Sequence, residues 1–245
     1  MGNLDADMAA AAVGHALPPG FIVVPATTLP NGVEVPAFAV ARWLVARGPD
    51  GQVLLSETMP PWVRIGYHAA HLACAFAGFE LLTEQQALAI ACDIAGGAAN
   101  WTGGAVGAGR VYQGLHRGRF DGPQPACVAS PDPFERRWHV LSNGERIIDA
   151  AGNAFSWVFD DVQGDTQGIV AHSFMRDSPT VAAAPGAPMQ QGLGWWPRAG
   201  RRWWGRALAR GGSWSSQEGA GIFTVVDERP QAARPYVGFR CTLPL

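Results

Sequence analysis

The stretch from Arg210 to Cys241, RGGSWSSQEGAGIFTVVDERPQAARPYVGFRC, constrains the fold more than any other part of this chain. RGGSW at one end and GFRC at the other are rich in glycine and aromatic side chains, whereas Ser215 to Gly219 carries no side chain with an evident packing role. Gly211 and Gly212 suit backbone conformations that a Cβ forbids, and Trp214 and Phe239 offer large rings to a core. The pattern describes two fixed anchors and one changeable insert. A fold that uses it must hold a loop from both ends without needing the loop's own side chains.

At 245 residues the chain is long enough for one large domain or two small ones, and its 48% hydrophobic content is ordinary for a globular core. The first twenty residues carry acid where a signal peptide needs positive charge, and their apolar run is alanine broken by glycine and histidine. They are expected to form an N-terminal arm, disordered or docked, ahead of one domain over residues 21–245. No apolar run approaches the roughly 20 residues that span a bilayer, so a protein soluble as synthesised is expected, with no membrane insertion. All 18 basic residues are arginine, and the net charge is −2. Eight of those arginines and five of the ten tryptophans lie from Trp195 onward, against only Glu218, Asp227 and Glu228. The C-terminal fifth is therefore locally basic and aromatic. Cys74, Cys92, Cys127 and Cys241 stand far apart with no CxxC pair, which points to buried free thiols rather than a zinc ribbon or a dense disulfide framework.

Residues 21–24, 33–45 and 53–55 read as strands, punctuated by the turn-forming pairs Asn31-Gly32 and Asp50-Gly51, so the opening third reads as a meander. Tyr67, Ala70, His71 and Cys74 recur at helical spacing, and Gly78 supplies a left-handed stop. Thr83 opens a second helix through a capping box with Gln86, and that helix fades at Gly96-Gly97. Residues 103–112, rich in glycine, read as an irregular connection.

Three segments in order carry a family likeness: MPPWVRIGYHAAHLACAFAGFELLTEQQALAIA, LSNGERIIDAAGNAFSWVFD, and the RGGSW to GFRC frame. Together they resemble the formylglycine-generating-enzyme-like (sulfatase-modifying-factor) branch of the C-type lectin fold, over roughly residues 21 to 245. The resemblance implies an α+β domain in which two helices pack beside small twisted antiparallel sheets with much irregular chain. Family enzymes carry a reactive cysteine pair just after GGSW, and the matching positions here are Ser216 and Gly221. A family scaffold without its thiols is most similar to the variable proteins of diversity-generating retroelements, which display a hypervariable ligand-binding face. By that resemblance the variable region spans about 192–241, and the candidate ligand-binding positions are Leu193, Trp195, Arg198, Arg201, Arg202, Ser213, Ser215, Ser216, Gln217, Glu218, Gly219, Val226, Asp227, Arg229 and Arg234. Gly211, Gly212, Trp214, Ala220, Gly221, Phe223, Gly238, Phe239 and Arg240 read as scaffold.

Other chemistries weigh less. His68, His71 and Cys74 lie along one helical face, but no fourth ligand stands nearby, and a core position for Cys74 is the stronger reading. The family's calcium loop maps to Asp149, Gly152 and Ala154, with Ser156 in place of a ligating glutamate, so a metal-free, hydrogen-bonded loop is expected and structural calcium is the alternative. Ser213 or Ser216 with His172 would make a triad only if geometry allowed, and no G-x-S-x-G elbow accompanies them. Tryptophan and arginine between Trp195 and Arg206 suit single-stranded nucleic acid, yet the acidic balance of the chain and the lack of an RNA-binding signature disfavour it. The same residue types suit a paratope, with Trp203, Trp204 and Trp214 expected to be mostly buried and 195–202 partly exposed. The expected function is therefore non-catalytic binding of a protein or glycan on a cell surface, in a virion-associated protein if phage-encoded and a cytoplasmic one otherwise. An oxidative enzyme of the same fold and an undiversified phage tail structural protein are the alternatives.

Overall fold

A computed structural model describes residues 17–183 and 191–245, so most of the arm expected over residues 1–20 lies outside the described residues. The first part of the chain supplies β1 (Phe21–Val24), the hairpin of β2 (Thr27–Thr28) and β3 (Glu34–Val35), β4 (Phe38–Ala41), and the hairpin of β5 (Ala46–Arg47) and β6 (Val53–Leu54). Gly32 and Gly51 turn these hairpins with φ of 87° and 77°, as the Asn-Gly and Asp-Gly pairs predict. The meander is interrupted, because β1 pairs with β4 and not with the strand that follows it.

Helix α1 (Tyr67–Phe76) stops where Gly78 takes φ 77°. After β7 (Glu80–Leu81), helix α2 (Glu84–Gly96) starts at the capping box: Gln86 N–H donates to Thr83 Oγ1 at 3.2 Å, and Thr83 N–H donates to Gln86 Oε1 at 3.0 Å. The connection over 103–112 is irregular. Next come the Asn143-Gly144 hairpin of β8 (Trp138–Val140) and β9 (Arg146–Ile148), then β10 (Phe155–Val158) and the one-turn helix α3 (Pro179–Ala182). The chain closes with β11 (Ala207–Arg210), β12 (Val225–Glu228), β13 (Val237–Phe239) and β14 (Cys241–Pro244).

Two four-stranded sheets organise these elements. One runs β1-β4-β14-β7, all antiparallel, and the other β12-β11-β10-β13, in which β10 and β13 are parallel. The C-terminal GFRC motif passes from the second sheet to the first through a single residue, Arg240. That step is locked. Arg240 is buried and donates to Ala41 O and Ile148 O, both at 2.7 Å, so one guanidinium satisfies carbonyls that a sheet change would strand. Two apolar clusters fill the interior. One lies between α2 and the strands and loops around Leu208 and Phe223, the other around Tyr67, Trp157 and Phe239, where the Trp157 indole donates to Ile65 O at 3.0 Å. Cys74 and Cys241, both fully buried, face each other with Sγ atoms 3.1 Å apart, and their mutual hydrogen bond together with burial pushes the Cys74 thiol far up. Among the described residues no helix is long and apolar enough to cross a membrane.

Candidate ligand-binding face

Strand β11 delivers the chain into Gly211 and Gly212, which take φ of 97° and 92°. A Cβ on Gly211 would sit 2.9 Å from Ala150 O, and one on Gly212 would sit 2.6 Å from Ala220 Cα. Both positions need glycine on two counts. The backbone then passes through a set of straps: Trp214 N–H donates to Asn153 O at 3.0 Å, Gly118 N–H to Trp214 O at 2.8 Å, and Gln217 N–H to His116 O at 2.8 Å. Ser213 N–H donates to Ser216 Oγ at 2.9 Å, and the two hydroxyls lie 2.9 Å apart. A short 3-10 turn over Gln217–Gly219 follows, with Gln217 at φ 51°, and the chain re-enters the core at Ala220.

These straps separate the predicted positions by role. Ser215, Gln217 and Glu218 are exposed at the tip, while Ser216 and Gly219 are half-buried. Two predicted contacts are corrected. Ser213 is 2% exposed, and Leu193 is 1% exposed with its carbonyl accepting Phe223 N–H at 2.9 Å, so neither side chain can meet a ligand directly. The burial of Leu193 follows from strand-like pairing of 193–195 against 221–225, and that of Ser213 accompanies the strap from Trp214 N–H to Asn153 O, neither of which local composition reveals. Trp195 N–H donates to Thr224 Oγ1 at 3.1 Å, and that hydroxyl donates to Gly219 O at 2.6 Å, so Trp195 stands beside the insert. Arg198, Arg201 and Arg202 are exposed on the loop that continues from it. Val226, Asp227, Arg229 and Arg234 are not brought to the tip. They lie toward the other end of β12, where Asp227 pairs with Arg206 at 3.4 Å, Arg234 with Glu228 at 2.9 Å, and Pro230 O accepts the Tyr67 N–H that opens α1.

The tryptophan expectation also changes. Trp203 is 4% exposed and packs edge-on against Phe174 at 5.1 Å, as predicted, but Trp214 is only half-buried and Trp204 is 60% exposed. The turn at Gly205 (φ 70°), pinned by its N–H to Val170 O at 2.9 Å, aims the two adjacent indoles differently. Sequence reading missed the flank of the face altogether. Arg110 forms an ion pair with Glu218 that holds the Glu218 carboxyl below its ordinary range, and Arg117 lies over the exposed ring of Phe134 at 5.4 Å. No local motif marks these residues, since they reach the insert from the connection before β8.

At the loop matched to a calcium site, a guanidinium stands in the cation's place. Arg137 donates to both Asp149 oxygens, at 2.8 and 2.6 Å, and Asn153 adds a bond at 2.9 Å. Ser156 turns its hydroxyl to Trp157 O at 3.3 Å. The charge balance a metal would supply is already met by a forked pair. Likewise His68 points to solvent while Cys74 is buried against Cys241, so the three residues of the α1 face do not converge. The Ser213 and Ser216 hydroxyls bond each other, and His172 is exposed on a segment whose backbone is tied to Gln163, which does not assemble a triad.

Gly221 decides how much chemistry this frame can accept. A Cβ there would lie 2.3 Å from Gly194 N and 2.4 Å from Leu193 C, both backbone atoms. Gly221→Cys is expected to lower stability by about 2 to 3 kcal/mol, as overpacking of a tight site does. Urea denaturation of the variant measures it, and an unchanged midpoint would show that the 193–195 segment can retreat.

No family model matches the chain, and no curated protein matches it either. Solved structures do. CarF aligns over 93% of this chain and 99% of its own at a TM-score of 0.50 and 10% identity. The fold is the C-type lectin fold. Further likenesses include PvdO from Pseudomonas aeruginosa (TM-score 0.46, 14% identity, 92% of this chain and 94% of that one) and Treponema denticola variable protein 1 (TM-score 0.45, 13% identity, again 92% and 94%). Within the C-type lectin fold the insert occupies the loop that follows β11, strapped to the 114–118 and 150–153 segments.

Proposed function

We propose that this chain is a non-catalytic ligand-binding protein that presents a substitutable C-terminal face, centred on Ser215, Gln217, Glu218, Trp195, Arg198, Arg201 and Arg202. One observation carries the reading. The hydrogen bonds that shape the insert come mainly from backbone groups and from buried or half-buried residues, while among the described residues the side chains at the tip add only the exposed Arg110–Glu218 pair and a long 3.5 Å contact from Ser215 Oγ to Ser213 Oγ. Exposed pairs of that kind contribute little to stability. Glycine and serine adapt to a partner, tryptophan gives large contact area at low entropic cost, and arginine adds forked hydrogen bonding. The positions matching a reactive cysteine pair support the absence of a reaction: Ser216 spends its hydroxyl on Ser213, and Gly221 has no room for a side chain. The ligand in this reading is a protein or glycan on a cell surface, met by a protein that is virion-associated if phage-encoded and cytoplasmic otherwise.

Replacing Ser215, Gln217 and Glu218 together with other polar residues is expected to shift stability by less than about 1 kcal/mol, since exposed substitutions each fall within roughly ±0.5 kcal/mol. Gln217 tolerates Asn best because of its positive φ. A display library varied at these positions and selected on bacterial surface proteins should yield folded variants with new partners. Sequencing the encoding locus from many isolates should find adenine-linked variation confined to codons of exposed residues, beside an imperfect repeat and a reverse-transcriptase gene. Unfolding of the triple variant, or an invariant locus without the repeat, would sink the proposal. Oxidation of a sulfatase-type cysteine peptide by the chain with copper or iron and oxygen would favour the enzyme alternative instead.

A further inference from the structure

The strip that runs on from Trp195 has a chemistry of its own. Two segments build it, 173–177 and 195–206, and they carry five arginines (Arg176, Arg198, Arg201, Arg202, Arg206) against one carboxylate, Asp177. Arg206 is paired with Asp227, whereas Arg198, Arg201 and Arg202 form no ion pair among the described residues. The same two segments also carry Trp204, Met175 and Trp195, exposed by 60%, 63% and 39%, with Arg202 over the Trp204 ring and Arg201 over Trp203, which packs on Trp195. Exposed aromatic rings paired with guanidinium groups offer a partner both apolar area and charge.

The strip is also rigid. Gly200 N–H donates to Phe174 O at 2.7 Å, Phe174 N–H to Arg201 O at 3.1 Å, and Arg206 N–H to Trp203 O at 2.9 Å. The buried Trp203 is wedged between Phe174 and Trp195, with ring centroids 5.1 and 5.9 Å away. A surface already ordered loses little conformational entropy on binding.

We propose that Trp204, together with Trp195, Arg201 and Arg202, forms the anchor of a docking surface for an acidic protein partner, one that presents carboxylates beside apolar side chains. This inference rests on the binding-face reading and specifies its partner. Exposed Trp, Met and Arg around a fixed aromatic base match the composition of protein interface hot spots. Forked guanidinium groups that form no ion pair among the described residues match carboxylates in geometry and charge. A protein fits better than a single-stranded nucleic acid for two reasons. The positive charge is a finite island on a chain of net charge −2, whereas a polyanion needs a continuous track. One face of each indole is also already covered, Trp204 by the Arg202 guanidinium at 5.4 Å and Trp195 by Trp203, which leaves fewer open platforms for base stacking.

The test pans the full chain against a displayed library of random 16-residue peptides and measures synthetic versions of the winners by calorimetry. The enriched peptides are expected to combine Asp or Glu with aromatic or aliphatic residues and to bind more weakly as salt rises. Trp204→Ala, and separately the double change Arg201→Ala with Arg202→Ala, should each weaken binding at least tenfold while leaving the melting temperature unchanged. Arg201→Lys with Arg202→Lys should keep the salt dependence with a smaller loss. Absence of enrichment, winners without carboxylates, or winners indifferent to Trp204→Ala would overturn the proposal. So would tighter binding of a 20-residue oligo-dT or of heparin at the same salt through the same residues. The strip uses none of Ser215, Gln217 or Glu218, so if varying those three never changes ligand choice, the insert's share of the binding-face reading fails while capture of acidic peptides still decides this one.

Discussion

Arg210→Met is expected to destabilise the protein by about 3 to 5 kcal/mol, the cost of leaving one member of a buried ion pair alone. Arg210 is 4% exposed and Glu84 is fully buried. The guanidinium donates through Nε to Glu84 Oε2 at 2.5 Å and through Nη2 to Oε1, and its Nη1 reaches Phe223 O at 3.2 Å. Without it, Glu84 keeps, among the described residues, only the Thr180 hydroxyl at 2.7 Å and the positive end of α2, which cannot balance a carboxylate in the core. The double variant Glu84→Gln with Arg210→Met should recover much of the loss, because no uncompensated charge remains. Guanidinium denaturation of both variants measures this. A single variant that loses less than about 1 kcal/mol would mean that the interior admits water. The pair also ties the first turn of α2 to the residue before Gly211, so the single variant should loosen the insert and speed amide exchange at Trp214 and Gln217.

Stability should fall as pH rises from about 4 to about 7, by on the order of 4 kcal/mol, through Asp160. Burial first, and the neighbouring Glu84 carboxylate second, push its carboxyl up to about 7 from an ordinary 3.8. Oδ1 accepts Val162 N–H at 3.0 Å and Gln163 N–H at 2.8 Å, but Oδ2 is buried with no partner. Below pH 3.8 both folded and unfolded chains hold the proton, and nothing is lost. Between about 4 and 7 the unfolded chain releases it while the folded chain retains it, so stability declines by about 1.4 kcal/mol per unit and levels off above the folded value. Asp132 and Glu218 are held low, by the Phe134 N–H and by Arg110 respectively, and act only in stronger acid. Urea melts between pH 4.5 and 8.5 measure the slope. Asp160→Asn should flatten it and raise stability at pH 8, and an unaltered slope in that variant would assign the effect elsewhere.

Elements governed by neighbours in the chain were legible before the structure. The Thr83-Gln86 capping box, the stop at Gly78 and the Asn31-Gly32, Asp50-Gly51 and Asn143-Gly144 turns all follow from contacts within a few residues, and each appears where its motif lies. The glycine frame was legible for the same reason, since only glycine tolerates the φ that Gly211 and Gly212 adopt. The binding positions were readable only as a list of residue types. Which of them face solvent depends on pairing between segments distant in sequence, and Leu193 and Ser213, polar or apolar alike, turned inward for that reason.

By itself the sequence determined the turns, the helix starts and stops, and a C-terminal insert without cysteine framed by glycine and aromatic anchors, because turn geometry and missing side chains are local properties, and its resemblance to a known family implied the α+β scaffold around them. Only the tertiary structure decided that Arg137 fills the charge demand of Asp149, that Gly221 excludes a side chain, and that Trp204 faces outward while its neighbour Trp203 is buried. Each of those outcomes turns on groups far apart in the chain meeting across a few ångströms, where burial and charge pairing outweigh the preference of any single residue.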